Sequence, residues 1–227
     1  MTDESVDALA QAIRASDGLD EACRCLLGAA LQMLQADVAG LLTWRGDGAP
    51  ERFASSDDAE IAALWSHPGG PAHEVRALSG DRVVVPDLAA EERWPQWARA
   101  LTDAGYRAMQ VIVLPSLAHR PLALDLYARR PGAFDSNERD RAVDCVRLAA
   151  LLLTMVEQVE DLRAALQSRA LIAQAQGLFM ERFTLTSEQA MAYLRRLSQH
   201  QQVKVRVLAQ QVVDVSDARP QDEVSRP

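Results

Sequence analysis

Six apolar residues between positions 148 and 166 repeat with the spacing of a coiled coil. Successive members are separated by 4, 3, 4, 3 and 4 residues, an a/d pattern sustained for almost three heptads. Such a pattern lies along one side of a helix and needs a partner helix, from the same domain or from a second copy of the chain. We favour a parallel homodimer. The set, called here the heptad stripe, is Leu148, Leu152, Met155, Val159, Leu162 and Leu166.

Helix and strand signals alternate before the heptad stripe. "DVAGLLTW" is typical of a buried strand, and "ERFAS", after the turn "RGDG", is its expected antiparallel partner. Later, "DRVVVPDL", "YRAMQVIVLPSL" and "PLALDLYARR" predict strands, and "EERWPQWARALTDAG" predicts a helix that stops at Gly105. This order of elements indicates an α+β sandwich with a mostly antiparallel sheet.

Three short helices are predicted after the heptad stripe. Thr186 and Gln189 have the spacing of a capping box, which marks a helix start. Gly177 lies inside the preceding helical pattern, where glycine costs about 1 kcal/mol relative to alanine. Either another helix packs tightly there or a ligand approaches closely, and we favour helix packing. The apolar face predicted for this first helix comprises Ile172, Ala175, Gly177, Leu178, Phe179 and Met180.

Charge is distributed unevenly along the chain. The net charge is −8, yet residues 168–215 contain six basic and three acidic residues. An acidic body with a small basic region suggests a polyanionic partner, although a solvated basic surface would show the same composition. Phosphate contacts along a nucleic-acid backbone are the sharper interpretation.

Signatures of enzymes, metal sites and membrane spans are missing from the sequence. There is no P-loop, no dinucleotide-binding or hydrolase motif, and no metal-ligand spacing among the histidines and cysteines. No apolar run approaches 18 residues, and the acidic N-terminus does not resemble a signal peptide. We therefore expect a cytoplasmic protein that is not an enzyme and holds no metal. Trp94, Trp97 and His73 are candidates for the lining of a small-molecule pocket, while core packing is the simpler explanation of the tryptophans.

The segment "SRALIAQAQGLFMERFTLTSEQAMAYLRRLSQHQQVKVRVLAQQVV" resembles the ANTAR domain, the three-helix RNA-binding module of bacterial antitermination regulators. The motif is carried by Arg169, Ile172, Gly177 and Met180, with a departure at Gln176, where the family usually has lysine. Leu194-Arg195 and the run through Lys204, Arg206 and Ala209 also match. The resemblance implies RNA contacts from Arg169, Gln176, Gly177, Arg182, Arg195, Arg196, Lys204 and Arg206.

The first 147 residues resemble, more loosely, a GAF domain, an α/β sensor module. "ADVAGLLTW", "VPDLAAEERWPQWARALTDAGYRAM" and "LALDLYARRPGAFD" occur in GAF order. The pairing of the two domains implies a dimeric regulator that binds hairpins in nascent mRNA and thereby prevents terminator formation. GAF domains bind small molecules or only mediate dimerisation, so the resemblance leaves open a small-molecule ligand of unknown identity and implies no other cofactor.

These observations predict four segments: a GAF-like sensor domain over 1–147, a coiled-coil linker helix over 148–167, a three-helix RNA-binding domain over 168–215 and a disordered tail over 216–227. The alternative is a ligand-sensing or scaffold protein whose C-terminal helices bind a protein partner. The salt dependence of binding to a two-hairpin RNA distinguishes the two hypotheses, because phosphate contacts release condensed counterions and make RNA binding steeply salt-dependent.

Overall fold

An antiparallel sheet organises the N-terminal part of the computed structural model, which describes residues 3–44, 50–56, 70–71, 82–117, 120–135 and 140–217. The predicted pairing of "DVAGLLTW" with "ERFAS" is confirmed, since Trp44 lies opposite Pro50 in an antiparallel register. The five strands follow the order β2-β1-β5-β4-β3. They are β1 (Val38–Trp44), β2 (Pro50–Ser55), β3 (Arg82–Val85), β4 (Ala108–Leu117) and β5 (Arg120–Ala128).

Helices cover both faces of the sheet, because the strands carry apolar residues on both sides. In β5, Leu122, Leu124 and Leu126 enter one core, whereas Ala123 and Tyr127 enter the other. Among the described residues, the first core is shared with three α-helices, and the second with one α-helix and a short 3₁₀ helix at Leu88–Ala90. The α-helices are α1 (Asp3–Ala15), α2 (Leu19–Leu34), the beginning of α4 (Asp140–Phe183), and, on the second face, α3 (Pro95–Asp103). The predicted α+β class is therefore confirmed.

An ion pair joins the turn after β3 to the residue that precedes β4. Two nitrogens of Arg107 donate to the carboxylate of Asp87, with Nη2 2.9 Å from Oδ2, and the N–H of Ala89 donates to Oδ1. The hydrogen bonds from Arg107 are the main cause of the lowered pKa of Asp87. Folding lowers this pKa, so the ion pair contributes to the free energy of unfolding at pH values above the pKa of the unfolded carboxyl group. This contribution is lost as the pH falls through the pKa that Asp87 has in the folded protein.

The chain divides into two units, Met1–Val159 and Glu160–Pro227, and the predicted boundaries at 147 and 167 both fall inside helix α4. In the N-terminal unit, Leu148, Met155 and Val159 of the heptad stripe are exposed, but Leu152 is half-buried against the first core. Helix α4 turns Leu152 toward its own domain and leaves Leu151 exposed beside it, and the heptad stripe as a dimer interface stays a prediction. In the C-terminal unit, Leu162 and Leu166 are exposed by 62% and 55%.

The C-terminal unit packs the end of α4 against two further helices, α5 (Ser187–Gln201) and α6 (Val205–Asp217). The predicted capping box is confirmed: the Thr186 hydroxyl accepts from the N–H of Gln189, whose side chain accepts from the N–H of Thr186. Helix α6 extends two residues into the predicted disordered tail, and residues 218–227 lie outside the described part. The core of this unit consists of Ala175, Phe179, Ala190, Leu194, Leu208 and Ala209.

Two residues of the predicted inner face of α4 point outward instead. Gly177 is exposed, and Met180 is 37% exposed, whereas Ala175 and Phe179 are buried. The apolar set was wider than a helix of this unit can bury, because two neighbouring helices cover only part of its circumference. The outward face of α4 is therefore available to an external partner.

Candidate nucleic-acid interface

The six basic residues singled out in the C-terminal unit are all exposed. Arg169 and Arg182 lie on α4, and Lys204 precedes the first turn of α6, where its carbonyl accepts from the N–H groups of Val207 and Leu208. None of the six forms a salt bridge with a residue in the described ranges of the chain. Their charges remain available to an anionic partner. The remaining members are Arg195 and Arg196 on α5, and Arg206 in the first turn of α6.

Three aromatic rings form a cluster where α4 ends against α5. The centroid of the Phe179 ring lies 5.2 Å from that of Tyr193, and the Phe183 ring lies 5.8 Å from Tyr193 and 5.7 Å from Phe179. Two of the six cations border this cluster. The Arg182 guanidinium carbon is 6.0 Å from the centre of the Phe183 ring, and that of Arg196 is 5.3 Å from the Tyr193 ring. The structure thus places positive charge beside an aromatic surface.

Gln176 makes an internal contact. Its Nε2 donates to the carbonyl oxygen of Ser187 at 2.6 Å and to the Ser187 hydroxyl at 2.7 Å. Because Ser187 is the first residue of α5, these hydrogen bonds attach the start of α5 to α4. The amide nitrogen predicted to contact RNA is therefore already engaged within the C-terminal unit, and Gln176 positions α5.

Replacing Gln176 by alanine is expected to lower the free energy of unfolding of the C-terminal unit by about 1 kcal/mol, since both hydrogen bonds to Ser187 are lost. Gln176→Lys is expected to retain most of this stability, because an ammonium group can donate to the same oxygens. Chemical denaturation monitored by circular dichroism measures both changes. Exposed Gln174→Ala on the same helix is the control. An alanine variant of unchanged stability but weakened RNA affinity would instead make Gln176 a direct RNA contact.

The environment of Gly177 contradicts the packing explanation. A Cβ atom built on this residue meets no atom of the described chain within 4 Å. Tight packing against another helix of this unit is therefore wrong as the reason for glycine. The close approach of an external partner, the second explanation, is compatible with the exposed position of the residue.

A groove also opens between the ends of α4 and α6, with a volume of about 630 Å³. Phe179 and Val212 contribute apolar surface, and Arg182 and Glu181 contribute charges of opposite sign. Its mixed lining does not favour an anion over other ligands. The other lining residues are Leu178, Gln211, Val215 and Ser216.

The tryptophans proposed as pocket walls are buried in the second core of the N-terminal unit. Trp94 and Trp97 pack edge to face with ring centroids 6.2 Å apart. The loop residue Gly70 packs directly on Trp97, since a Cβ there would lie 2.8 Å from the indole ring. The third candidate, His73, lies outside the described residues. Core packing accounts for both tryptophans, and a pocket role stays a prediction.

Phe183 and Ser187 are the residues of this surface that the sequence interpretation missed. Phe183 is the last residue of α4 and lies one helical turn after Phe179, a spacing that could have indicated a ring pair. Ser187 carries no local signal for its bond to Gln176, because the two residues are eleven positions apart.

A known protein family matches the C-terminal unit. Residues 160–213 match the family model of the ANTAR domain. The C-terminal unit contains an ANTAR domain. The match spans all six exposed cations, all of α5 and the aromatic cluster. The resemblance inferred from the motif is thereby confirmed for this part of the chain.

Solved structures similar to the chain include parts of bacterial phytochromes. The chromophore-binding domain of an unusual bacteriophytochrome from R. palustris is 16% identical, with a TM-score of 0.51, over 71% of this chain and 62% of that one. The photosensory core module of a Stigmatella aurantiaca phytochrome is 14% identical, with a TM-score of 0.60, over 86% and 44%. The chain thus spans less than two thirds of either protein. At such identities the likeness concerns the fold alone, and it supports a GAF-like fold for the N-terminal unit.

No curated protein sequence matches the chain. Within the residues that the structure describes, every helix is too short or too polar to cross a membrane. Among those same residues, no His, Cys, Asp and Glu side chains are grouped as a metal ion would require.

Proposed function

We propose that this protein is a cytoplasmic regulator of transcription that binds stem-loops in nascent mRNA and prevents terminator formation. The observation that carries the proposal is the ANTAR domain, which holds six exposed cations without an ion-pair partner in the described chain. Antitermination by such a domain requires only that the bound stem-loop excludes the competing terminator. No catalytic step is involved, in agreement with the absence of enzyme motifs from the sequence.

In this proposal the GAF-like unit senses a signal and a second copy of the chain completes the RNA-binding form. The exposed leucines of the heptad stripe support dimerisation, since an isolated helix would leave them in water. Two ANTAR domains held together can engage two hairpins of one transcript, which raises affinity without any new contact. RNA loops suit such a site because their bases are unstacked and accessible.

Binding of the full-length protein to a two-hairpin RNA, followed by fluorescence anisotropy from 50 to 200 mM salt, tests the proposal. We expect the affinity to fall steeply with salt, because each phosphate contact of a single strand adds about 0.7 to the slope. The variant Arg195→Ala, Lys204→Ala, Arg206→Ala is expected to reduce that slope by about two and the affinity by at least about tenfold.

A matched control removes the same charge from the N-terminal unit. Arg14, Arg24 and Arg99 are exposed there, and their replacement by alanine is expected to leave the salt slope unchanged. A flat salt response of the wild-type protein, or equal effects of the two triple variants, would contradict specific RNA binding. That result would favour a protein partner for the C-terminal helices.

A further inference from the structure

Phe183 combines an aromatic side chain with high exposure at a fixed position. Its residue surface is 49% exposed, although its ring contacts both Phe179 and Tyr193. Burial of a phenylalanine side chain stabilises a protein by about 1.5–3 kcal/mol, so half of this gain is not realised within the unit. Two aromatic neighbours therefore contact part of the Phe183 ring, and the rest of its surface is exposed to solvent.

The backbone around Phe183 is held by the way in which α4 ends. Thr184 adopts a left-handed conformation with φ of 53°, and the N–H of Leu185 donates to the carbonyl of Met180 at 3.2 Å. This is the hydrogen bond of a Schellman motif, in which Phe183 occupies the C-cap position. The aromatic ring is therefore presented in a defined place and does not depend on a loose loop.

The charges beside the ring match a nucleotide better than an apolar peptide. Arg182 and Arg196 border the two outer rings of the cluster, at 6.0 Å from Phe183 and 5.3 Å from Tyr193. A base has a flat apolar face and is joined through its sugar to the backbone phosphates. Aromatic rings flanked by cations are the recurring means by which proteins bind unpaired bases.

We propose that the exposed ring of Phe183 is a stacking platform for one unpaired base of an RNA loop, with Arg182 and Arg196 contacting the adjacent phosphates. The inference rests on the proposed function and adds to it the single-stranded part of the RNA as the ligand of this surface. Phe183 thereby distinguishes a loop from a duplex, because only an unpaired base can leave its own stack.

Hairpin RNAs carrying 2-aminopurine at each loop position in turn test the platform with the full-length protein. Stacking on Phe183 is expected to change 2-aminopurine fluorescence at one position. Phe183→Leu, which keeps apolar bulk but removes the ring, is expected to abolish that change and to weaken loop binding about 5- to 150-fold. The salt slope is expected to be unchanged, because no phosphate contact is removed.

Two controls separate stacking from a general loss of apolar surface. Phe183→Tyr retains a ring and is expected to restore loop affinity and the fluorescence change. Val215→Ala, at another exposed apolar residue of the C-terminal unit, is expected to have no effect on either. A duplex RNA without a loop is expected to bind the wild-type protein and the Phe183→Leu variant equally.

The outcomes distinguish this inference from the proposed function. If the wild-type protein binds RNA with steep salt dependence but no loop position responds, or Phe183→Leu binds the loop as tightly, the stacking platform is overturned alone. If the wild-type protein binds no RNA, both proposals fail. Capture of a protein partner that depends on Phe183, without RNA binding, would reassign the ring to a protein interface.

Discussion

Replacement of Leu162 and Leu166 by glutamate is expected to convert a dimeric protein into monomers. These residues occupy successive positions of the heptad stripe and are exposed by 62% and 55%, so in a coiled coil each would face its counterpart. Four carboxylates would then meet in the interface, where their burial without partners is unfavourable. Light scattering coupled to size-exclusion chromatography measures the change in mass.

The same double variant separates the role of the dimer from that of each RNA site. Affinity for a two-hairpin RNA is expected to fall by about 10²- to 10⁴-fold, because binding of the second hairpin is no longer intramolecular. Affinity for a single hairpin is expected to be unchanged. Ala164→Glu with Gln167→Glu adds the same charge on the opposite side of the helix and is the control. A wild-type protein that is already monomeric, or a double variant that remains dimeric, would exclude the heptad stripe as the dimer interface.

Replacement of Leu194 by alanine is expected to unfold the ANTAR domain selectively. Leu194 is fully buried in the core of this unit, and truncation of a buried leucine costs about 2–5 kcal/mol. A unit of this size has a small free energy of unfolding, so a loss of this magnitude is enough to unfold it. Hydrogen exchange is expected to accelerate for the amides of α5 and α6 and to remain slow for those of β4 and β5. RNA binding is expected to disappear together with the protection.

The control for this substitution is Val207→Ala, at a partly exposed position of α6, with an expected cost below about 1 kcal/mol. Equal protection of α5 in the wild-type protein and the Leu194→Ala variant would contradict the assignment of Leu194 to the core. Loss of protection in β4 and β5 as well would show that the two units unfold together.

Local features of the structure were predicted well where the interacting residues are close in sequence. The capping box formed by Thr186 and Gln189 requires only residues three positions apart, and the β1–β2 pairing requires strands that follow one another closely in the sequence. The recognition of the ANTAR domain has a similar basis, because its motif is an ordered pattern within one continuous segment. Each of these signals can be read along the chain without knowledge of the tertiary structure.

Features that depend on which face of a helix is buried were predicted less well. The periodicity of α4 does not distinguish Leu151 from Leu152, since both positions lie three or four residues from Leu148 and from Met155. It likewise placed Gly177 on a buried face, although the packing of α5 and α6 leaves that residue exposed. A shift of one position around the helix decides whether a side chain is buried in the core or exposed to solvent.

The sequence by itself determined the two domain types, the heptad stripe and the basic residues of the ANTAR domain, because each is encoded by composition or by spacing along one segment. The tertiary structure decided which of these residues meet. It engaged Gln176 with Ser187 and joined Phe183 to Tyr193. These contacts join residues on different helices, and the angle at which two helices pack is set by the whole core and not by either segment alone.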